Sequence, residues 1–320
     1  FKTALPIAGT YVSEIQLEND DINEDNRYYF NILLPEQINI AFIGINNDDD
    51  YYIKQSINSL NKSSKAFTFS EYNELNEKYH EIFKNDIIIM TPKIISNSKD
   101  SQINEFIYNG GHLIIIPSNA ALSDDYKALD ILLPNSRNEY DNLILSKYSE
   151  SSYQEIEFSH LQINQIKDIF LSDKSDNRNI RFFKFISLPY SPRNSQLLLK
   201  NGSSIWNRYN VNKGIIDIFG FSMNLNWTNF PIKGGFLPIM HFLTYSKYSN
   251  NNIAIFVNNN WSMIPEYYSK NIFHILPDGS RKLINPNKTQ LIKTDELGMP
   301  GHHLLSSDLG IIGKMAVNIN

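Results

Sequence analysis

Hydrophobic and polar positions change rhythm twice along this chain. Gly9–Leu17, GTYVSEIQL, alternates apolar and polar residues, and Arg27–Leu34, RYYFNILL, is rich in aromatic and branched side chains. Both read as strands. Two strands cannot bury a core by themselves, so residues 1–36 form a β segment that must pair with other sequence. From Ile38 the pattern changes. INIAFIGI (38–45), KAFTF (65–69), DIIIM (86–90) and HLIIIP (112–117) are short apolar runs, as expected of strands buried on both faces. Between them, YYIKQSINSL (51–60), EYNELNEKYHEIF (71–83) and SKDSQINEFIYNGG (98–111) carry apolar residues at helical spacing. Leu75, Tyr79 and Phe83 stand four apart; Ile103, Phe106 and Ile107 share a face before the Gly110-Gly111 stop. Strand and helix alternating with short loops predict an α/β doubly wound sheet with right-handed crossovers.

After Pro134 the regularity fades. QEIEFSH (154–160) predicts a strand and LQINQIKDIF (161–170) a short helix. NIRFFKFISL (179–188), QLLLKNG (196–202), SSIWNRYNV (203–211) and GIIDIFGF (214–221) read as strands, with Asn201-Gly202 as a hairpin turn. FLPIMHFLTYSKY (236–248) is an apolar helix with Pro238 in its first turn. Asn250–Asn252 forms a polar seam. Beyond it only short strands follow, with Pro277-Asp278-Gly279 as a tight turn. The division expected is a β segment at 1–36, an α/β domain at 37–250 and a small β-sandwich-like domain at 251–320.

Composition narrows the chemistry. Hydrophobic residues make up 42% and charged residues 20%, enough for a real core. The net charge of −5 argues against a nucleic-acid partner and against a polybasic membrane patch. With no cysteine, disulfides, thiolate catalysis and cysteine-based zinc or iron–sulfur sites are excluded from this sequence. No apolar run reaches the roughly 18 residues of a membrane span. The chain begins at Phe1 with what reads as mid-domain sequence, so a fragment is expected, and any signal peptide or anchor would lie upstream.

Two stretches carry a resemblance. DDINEDNRYYFNILLPEQINIAFI (20–43) contains Asp25-Asn26-Arg27 with Tyr29-Phe30, and FSMNLNWTNFPIKGGFLPIMHFL (221–243) contains Trp227 with Asn229, Pro231, Phe236 and Pro238. With the strand-helix core between them, and KMAVNI (314–319) closing the chain, they resemble the extracytoplasmic region of bacterial Bat-type aerotolerance regulator proteins. The resemblance implies a flavodoxin-like, class I glutamine amidotransferase-like sheet flanked by β-sandwich-type segments, residues 1–36 being the end of an immunoglobulin-like domain. It implies an inner-membrane anchor upstream, a region facing the periplasm and protein partners in an envelope complex. It supplies no catalytic residues and no cofactor.

Ser118 is the candidate nucleophile. It follows helix, Gly110-Gly111 and strand, in PSNAA. Amidotransferases of the resembled fold place a cysteine at this elbow, and here none exists. A serine elbow needs small residues two before and two after the nucleophile; here they are Ile116 and Ala120, and Ile116 is bulky. The alternative is a sheet corner in which Ser118 or Asn119 caps the next helix. Asp48, Asp49 and Asp50 are candidate ligand-binding residues in the first strand-to-helix loop, where a cation site competes with acids favoured at a helix start. Glu18–Asp25 is acidic but lacks the calcium-loop spacing, and Arg27 is expected to pair with a nearby acid. His302-His303 point to opposite strand faces and cannot easily chelate one metal. His80, His112, His160 and His274 are scattered, and His241 in the apolar helix is expected in the core. Trp206, Trp227 and Trp261 read as packing residues, with a carbohydrate platform or partner surface as the alternative. The expectation is a non-catalytic, protein-binding scaffold without cofactor or metal. A serine hydrolase centred on Ser118 and a ligand- or glycan-binding module at the strand ends are the competing readings.

Overall fold

The structure is a computed structural model that describes residues 8–18, 26–44, 47–75, 79–96, 100–133, 138–149, 151–161, 167, 170, 179–249, 254–257, 262–263, 271–284, 292–294, 297–308 and 310–319. The chain divides into two compact units, Gln37–Lys247 and Phe1–Glu36 joined with Tyr248–Asn320.

The larger unit is a mixed α/β structure around a seven-stranded sheet. Its strands are β3 (Ile38–Ile43), β4 (Phe67–Tyr72), β5 (Ile87–Met90), β6 (His112–Ile115), β9 (Ser195–Leu198), β10 (Ser204–Val211) and β11 (Gly214–Phe219). They lie side by side as β4-β3-β5-β6-β11-β10-β9. The first five are mutually parallel; β10 runs antiparallel to both β11 and β9. The parallel strands therefore run second-first-third-fourth-fifth in chain order. Ile40, Ile43, Ile87, Ile88, Ile89, Leu113, Ile114 and Ile115 are fully buried, because helices cover both faces. The crossovers are α1 (Asn47–Ser64), α2 (Tyr79–Ile82), α3 (Pro92–Ser96) and α4 (Asp100–Tyr108), and α5 (Phe236–Ser249) comes last in the unit.

Two expectations need correction. Of the helix predicted over 71–83, only Tyr79–Ile82 is helical among the described residues. Glu71 and Tyr72 complete β4, pairing with Phe42 and Ile43, and the Gly44 N–H donates to the Tyr72 carbonyl at 2.9 Å. Ladder hydrogen bonds along the whole of β3 outweigh local helical spacing there. The strand predicted at 154–160 is reduced to isolated bridges, Gln154 to Phe182 and Ile156 to Leu199, before a single 3-10 turn at Phe158–His160. The helix predicted at 161–170 lies largely outside the described residues. The hairpin at Asn201-Gly202 does form between β9 and β10, with Gly202 at φ 86° and the Asn201 side chain accepting from the Ser203 N–H at 3.1 Å. Between β6 and β9, β7 (Ile144–Lys147) and β8 (Lys184–Ser187) make a separate antiparallel pair.

In the smaller unit, β1 (Gly9–Gln16) and β2 (Arg27–Leu34) pair along their full length. The other strands described are β12 (Ala254–Phe256), β13 (Ser262–Met263), β14 (Ile272–Ile275), β15 (Arg281–Ile284), β16 (Ile292–Lys293), β17 (Gly301–Ser307) and β18 (Gly310–Asn318). Five of them form one sheet, β12-β18-β17-β14-β15, and β13 pairs with β16. The partner that β1 and β2 require is β18. Asn318 Oδ1 accepts from the Tyr29 N–H at 2.7 Å while its Nδ2 donates to the Tyr29 carbonyl at 3.0 Å, and Lys314 Nζ donates to the Thr10 carbonyl at 2.7 Å. Ile272, Leu297, Leu305 and Val317 make a small core, each such side chain contributing about 1.5–3 kcal/mol.

Within this unit His274 and His303 are buried and their rings meet, Nε2 of His274 lying 2.9 Å from Nδ1 of His303. His303 Nε2 donates to the Met299 carbonyl at 2.8 Å, so its Nδ1 is the acceptor and His274 donates. Burial pushes the His303 pKa below the ordinary 6.5, against the pull of the Met299 carbonyl and Asp278. The folded imidazole thus resists a proton that the unfolded chain accepts, and stability is lost as pH falls below about 6.5. Thermal unfolding of the full chain between about pH 8 and pH 5 should show a midpoint that falls on acidification, and His303→Gln should flatten that fall. An unchanged slope in the variant would show that the pair is not the titrating group.

Candidate functional site

Doubly wound sheets place ligands beyond the carboxyl ends of their parallel strands. In this chain three of those ends are filled by its own residues. After β3, Gly44 sits at φ 64°, and a Cβ there would lie 2.6 Å from Ile94 Cδ1, so α3 closes directly onto the loop. After β11, a Cβ on Gly220 would lie 2.1 Å from the Ile186 carbonyl oxygen; β8 crosses the strand end there, and the Ile186 N–H donates to the Gly220 carbonyl at 2.6 Å. After β6 comes the Ser118 turn.

Ser118 is half-buried, and its carbonyl accepts from the Ala121 N–H at 3.1 Å. Neither Ser118 nor Asn119 caps a helix, contrary to expectation: the next element is a 3-10 helix at Ser123–Ile131, and Asp125 reaches back to accept from the Leu122 N–H at 2.9 Å. Among the described residues no histidine hydrogen-bonds Ser118. His112, on the same strand, is at its opposite end. Asn119 is the fixed point of the turn. Its carbonyl and side-chain oxygens accept from the Trp227 indole at 3.2 and 3.1 Å, and the carbonyl also accepts from Lys184 Nζ at 2.8 Å. That ammonium lies 4.0 Å from the Trp227 ring centre, a cation–π contact. Trp227 is fully buried, with the buried Pro231 beyond it in a 3-10 turn; Pro238 is the third residue of α5.

Asp48, Asp49 and Asp50 all fall in the first turn of α1, and the side chains of the first two lie outside the description. Asp50 is buried and pairs with Lys54 at 2.5 Å; Lys54 also reaches Glu71 at 2.8 Å. Burial pushes the Asp50 pKa up despite Lys54, while the two carboxylates hold the Lys54 pKa above its ordinary value in spite of burial. Lys54 therefore already neutralises the Asp50 carboxylate. Among the described residues no three His, Asp or Glu side chains are placed to hold a metal ion.

The most polar buried centre escaped the sequence reading. Asp217 on β11 is fully buried and receives four N–H donors. Trp206 Nε1 at 2.7 Å and Arg208 Nε at 2.9 Å reach Oδ1; Arg208 Nη2 at 2.6 Å and His112 Nε2 at 2.7 Å reach Oδ2. The β10–β11 register sets Arg208 directly opposite Asp217. Arg208 continues to Ser246 Oγ at 3.1 Å and stacks 4.5 Å from the Phe242 ring centre, both on α5. Burial alone would raise the Asp217 pKa, but Arg208 and His112 hold it far below the carboxylate range. Burial lowers the His112 pKa against the attraction of Asp217, so the ring is neutral, donates through Nε2 and leaves Nδ1 buried without a partner. An Asp–His pair looks catalytic, but this one is sealed from solvent and each acidic oxygen is occupied. A signal did exist: a histidine and an aspartate inside the apolar runs HLIIIP and GIIDIFGF demand buried partners.

The remaining predicted residues are dispersed. Asp25 and Trp261 lie outside the described residues, as does most of the Glu18–Asp25 loop. Asn26 is buried and its carbonyl accepts from the Leu17 N–H at 2.8 Å; Arg27 is exposed and, among the described residues, meets no acid. Tyr29 packs edge-on against His302 at 5.2 Å, and Phe30 is half-buried. His302 and His303 do face opposite ways, the one toward Tyr29 and the other toward His274. His241 is exposed, not a core residue, and leans on Tyr245 with ring centres 4.6 Å apart. Gly110, at φ 98°, ends α4 as expected, and Gly111 follows it.

No protein-family model and no curated protein matches the chain. Among solved structures it is similar to a cytoplasmic protein of Salmonella typhimurium, with a TM-score of 0.43 and 10% identity over 74% of this chain and 95% of that one. A second cytoplasmic protein, from Salmonella typhimurium LT2, aligns with a TM-score of 0.40 and 9% identity over 77% and 97% of the two chains. A protein of Parabacteroides merdae described as ThuA-like aligns with a TM-score of 0.35 and 10% identity over 67% and 92%. At these scores none of the likenesses assigns a fold or a function to this chain.

Truncating the buried carboxylate tests its structural role. Asp217→Leu leaves Arg208, His112 and the Trp206 indole unpaired and should cost about 3–5 kcal/mol in urea unfolding. Adding Arg208→Met should recover a large part of that loss. A neutral single variant would show that the carboxylate does not organise the sheet.

Proposed function

We propose that the chain is a non-catalytic scaffold, a protein-interaction region built on a flavodoxin-like sheet of the class I glutamine amidotransferase type. The second-first-third-fourth-fifth strand order is the one flavodoxin-like sheets use. The observation that carries the functional half of the reading is the state of the carboxyl edge. Ile94 sits over Gly44, Trp227 and Lys184 hold Asn119 beside Ser118, and β8 crosses Gly220. The groups with the strongest acid–base chemistry, Asp217, His112, Asp50 and Lys54, are engaged with one another. The sequence contains no cysteine for amide transfer. Among the described residues no free catalytic constellation stands at that edge, which supports binding through the surface.

The finer assignment rests on the sequence resemblance. In it the chain is the periplasm-facing region of a bacterial aerotolerance regulator-type protein, anchored in the inner membrane by an upstream segment and working with protein partners. No described helix is long and apolar enough to cross a membrane.

A fluorophosphonate serine probe discriminates this reading from its hydrolase competitor. The intact protein should remain unlabelled under conditions that label a control serine hydrolase. Stoichiometric labelling that disappears in Ser118→Ala would overturn the proposal.

A further inference from the structure

A cleft of about 580 Å³ lies beside the amino-terminal ends of β5 and β6, at the opposite edge of the sheet from Ser118. Its size falls in the range of small-ligand sites. One wall is the segment from His80 to Asp86. The other is a single face of α4, where Gln102, Glu105 and Phe106 recur at helical spacing, continued by Asn109 just past its end. Lys247 of α5 and Gly111 complete the lining. Gly111 belongs here for a reason of space, since a Cβ on it would lie 2.4 Å from the Phe106 ring. That ring meets Phe83 at 5.8 Å, giving the cleft an aromatic patch.

The charges in the cleft fall into two groups. Asp86 is satisfied: Oδ1 accepts from Lys247 Nζ at 2.8 Å and Oδ2 from the Asn39 N–H at 2.9 Å. Lys84 on one wall and Glu105 on the other have side chains with no hydrogen-bond or ion-pair partner among the described residues, and the same holds for the amides of Gln102 and Asn109. One unpaired cation and one unpaired anion therefore face the same space, with amides and an aromatic patch between. A phosphate would meet Glu105 and Asp86; a simple cation would meet Lys84 and Lys247. A ligand carrying both signs matches both walls.

We infer that this cleft binds short zwitterionic peptides bearing an apolar side chain. The peptide carboxylate pairs with Lys84 and the terminal ammonium with Glu105. The Gln102 and Asn109 amides meet the peptide bond, and the apolar side chain lies on Phe83 and Phe106. The site is independent of the carboxyl edge, so failure of one reading leaves the other standing.

Calorimetric titration of the full chain with leucyl-leucine, its N-acetyl derivative and its C-terminal amide provides the test. Saturable binding of the free dipeptide is expected, with each blocked form about tenfold weaker. Lys84→Gln should abolish the preference for the free acid over the amide. Glu105→Gln should abolish the preference for the free amine over the acetylated form. Both positions are exposed, so an unchanged melting temperature verifies that each variant is folded. Absence of binding at millimolar dipeptide, equal binding of the blocked forms, or discrimination that persists in both variants would overturn the inference.

Discussion

Asp217 and its four donors join the two halves of the large sheet. The parallel strands could stack by hydrophobic burial alone, but β10 runs the other way and needs a reason to stay. The carboxylate supplies it by binding Trp206 and Arg208 from β10 and His112 from β6 at once. Arg208 extends the connection to Ser246 and Phe242, which seats α5 on that face. A buried charge is expensive unless every lone pair is used, and here the expense is met by a complete set of partners. Because the partners come from the strands on either side of β11, and Arg208 is held in turn by a helix, an error in the pairing of either strand leaves a charge alone in the core.

The carboxyl edge follows from the same preference for internal partners. Lys184 and Trp227 both donate hydrogen bonds to Asn119. Two glycines make the close approaches possible, Gly44 beneath Ile94 and Gly220 beneath the Ile186 carbonyl. The sheet keeps the architecture that carries active sites in many proteins while its own loops take up the space. The amino edge differs, because Lys84 and Glu105 face a cleft without pairing to each other.

The smaller unit solves a different problem, that of two strands with too little core. Asn318 does for Tyr29 what a neighbouring strand would do, giving and receiving one hydrogen bond across 289 positions of sequence. Such contacts close long loops, whose entropy cost grows only slowly with length. His303 and His274 place a polar link inside the five-stranded sheet where an apolar pair could have stood.

The sequence by itself determined the elements whose evidence is local. The runs at β3, β5, β6 and β11 are apolar because both faces are covered. Asn201-Gly202 turns because that pair tolerates the backbone a hairpin needs. Gly110 stops α4. The parallel order was foreseeable only as a class, from alternation and crossover handedness. Residues 71–83 misled because helical spacing at Leu75, Tyr79 and Phe83 is a local signal, whereas the pairing of Glu71 and Tyr72 with β3 is set thirty residues earlier. His241 misled because an apolar helix has an outer face too. The roles of His112 and Asp217 belong to the tertiary structure alone: 105 positions separate them, and no pattern of spacing states that the first residue of one strand will meet the middle of another. Periodicity records which side of an element is buried. Which charged groups share that interior is decided by register and packing, since a buried charge is stable only beside partners that the whole fold delivers.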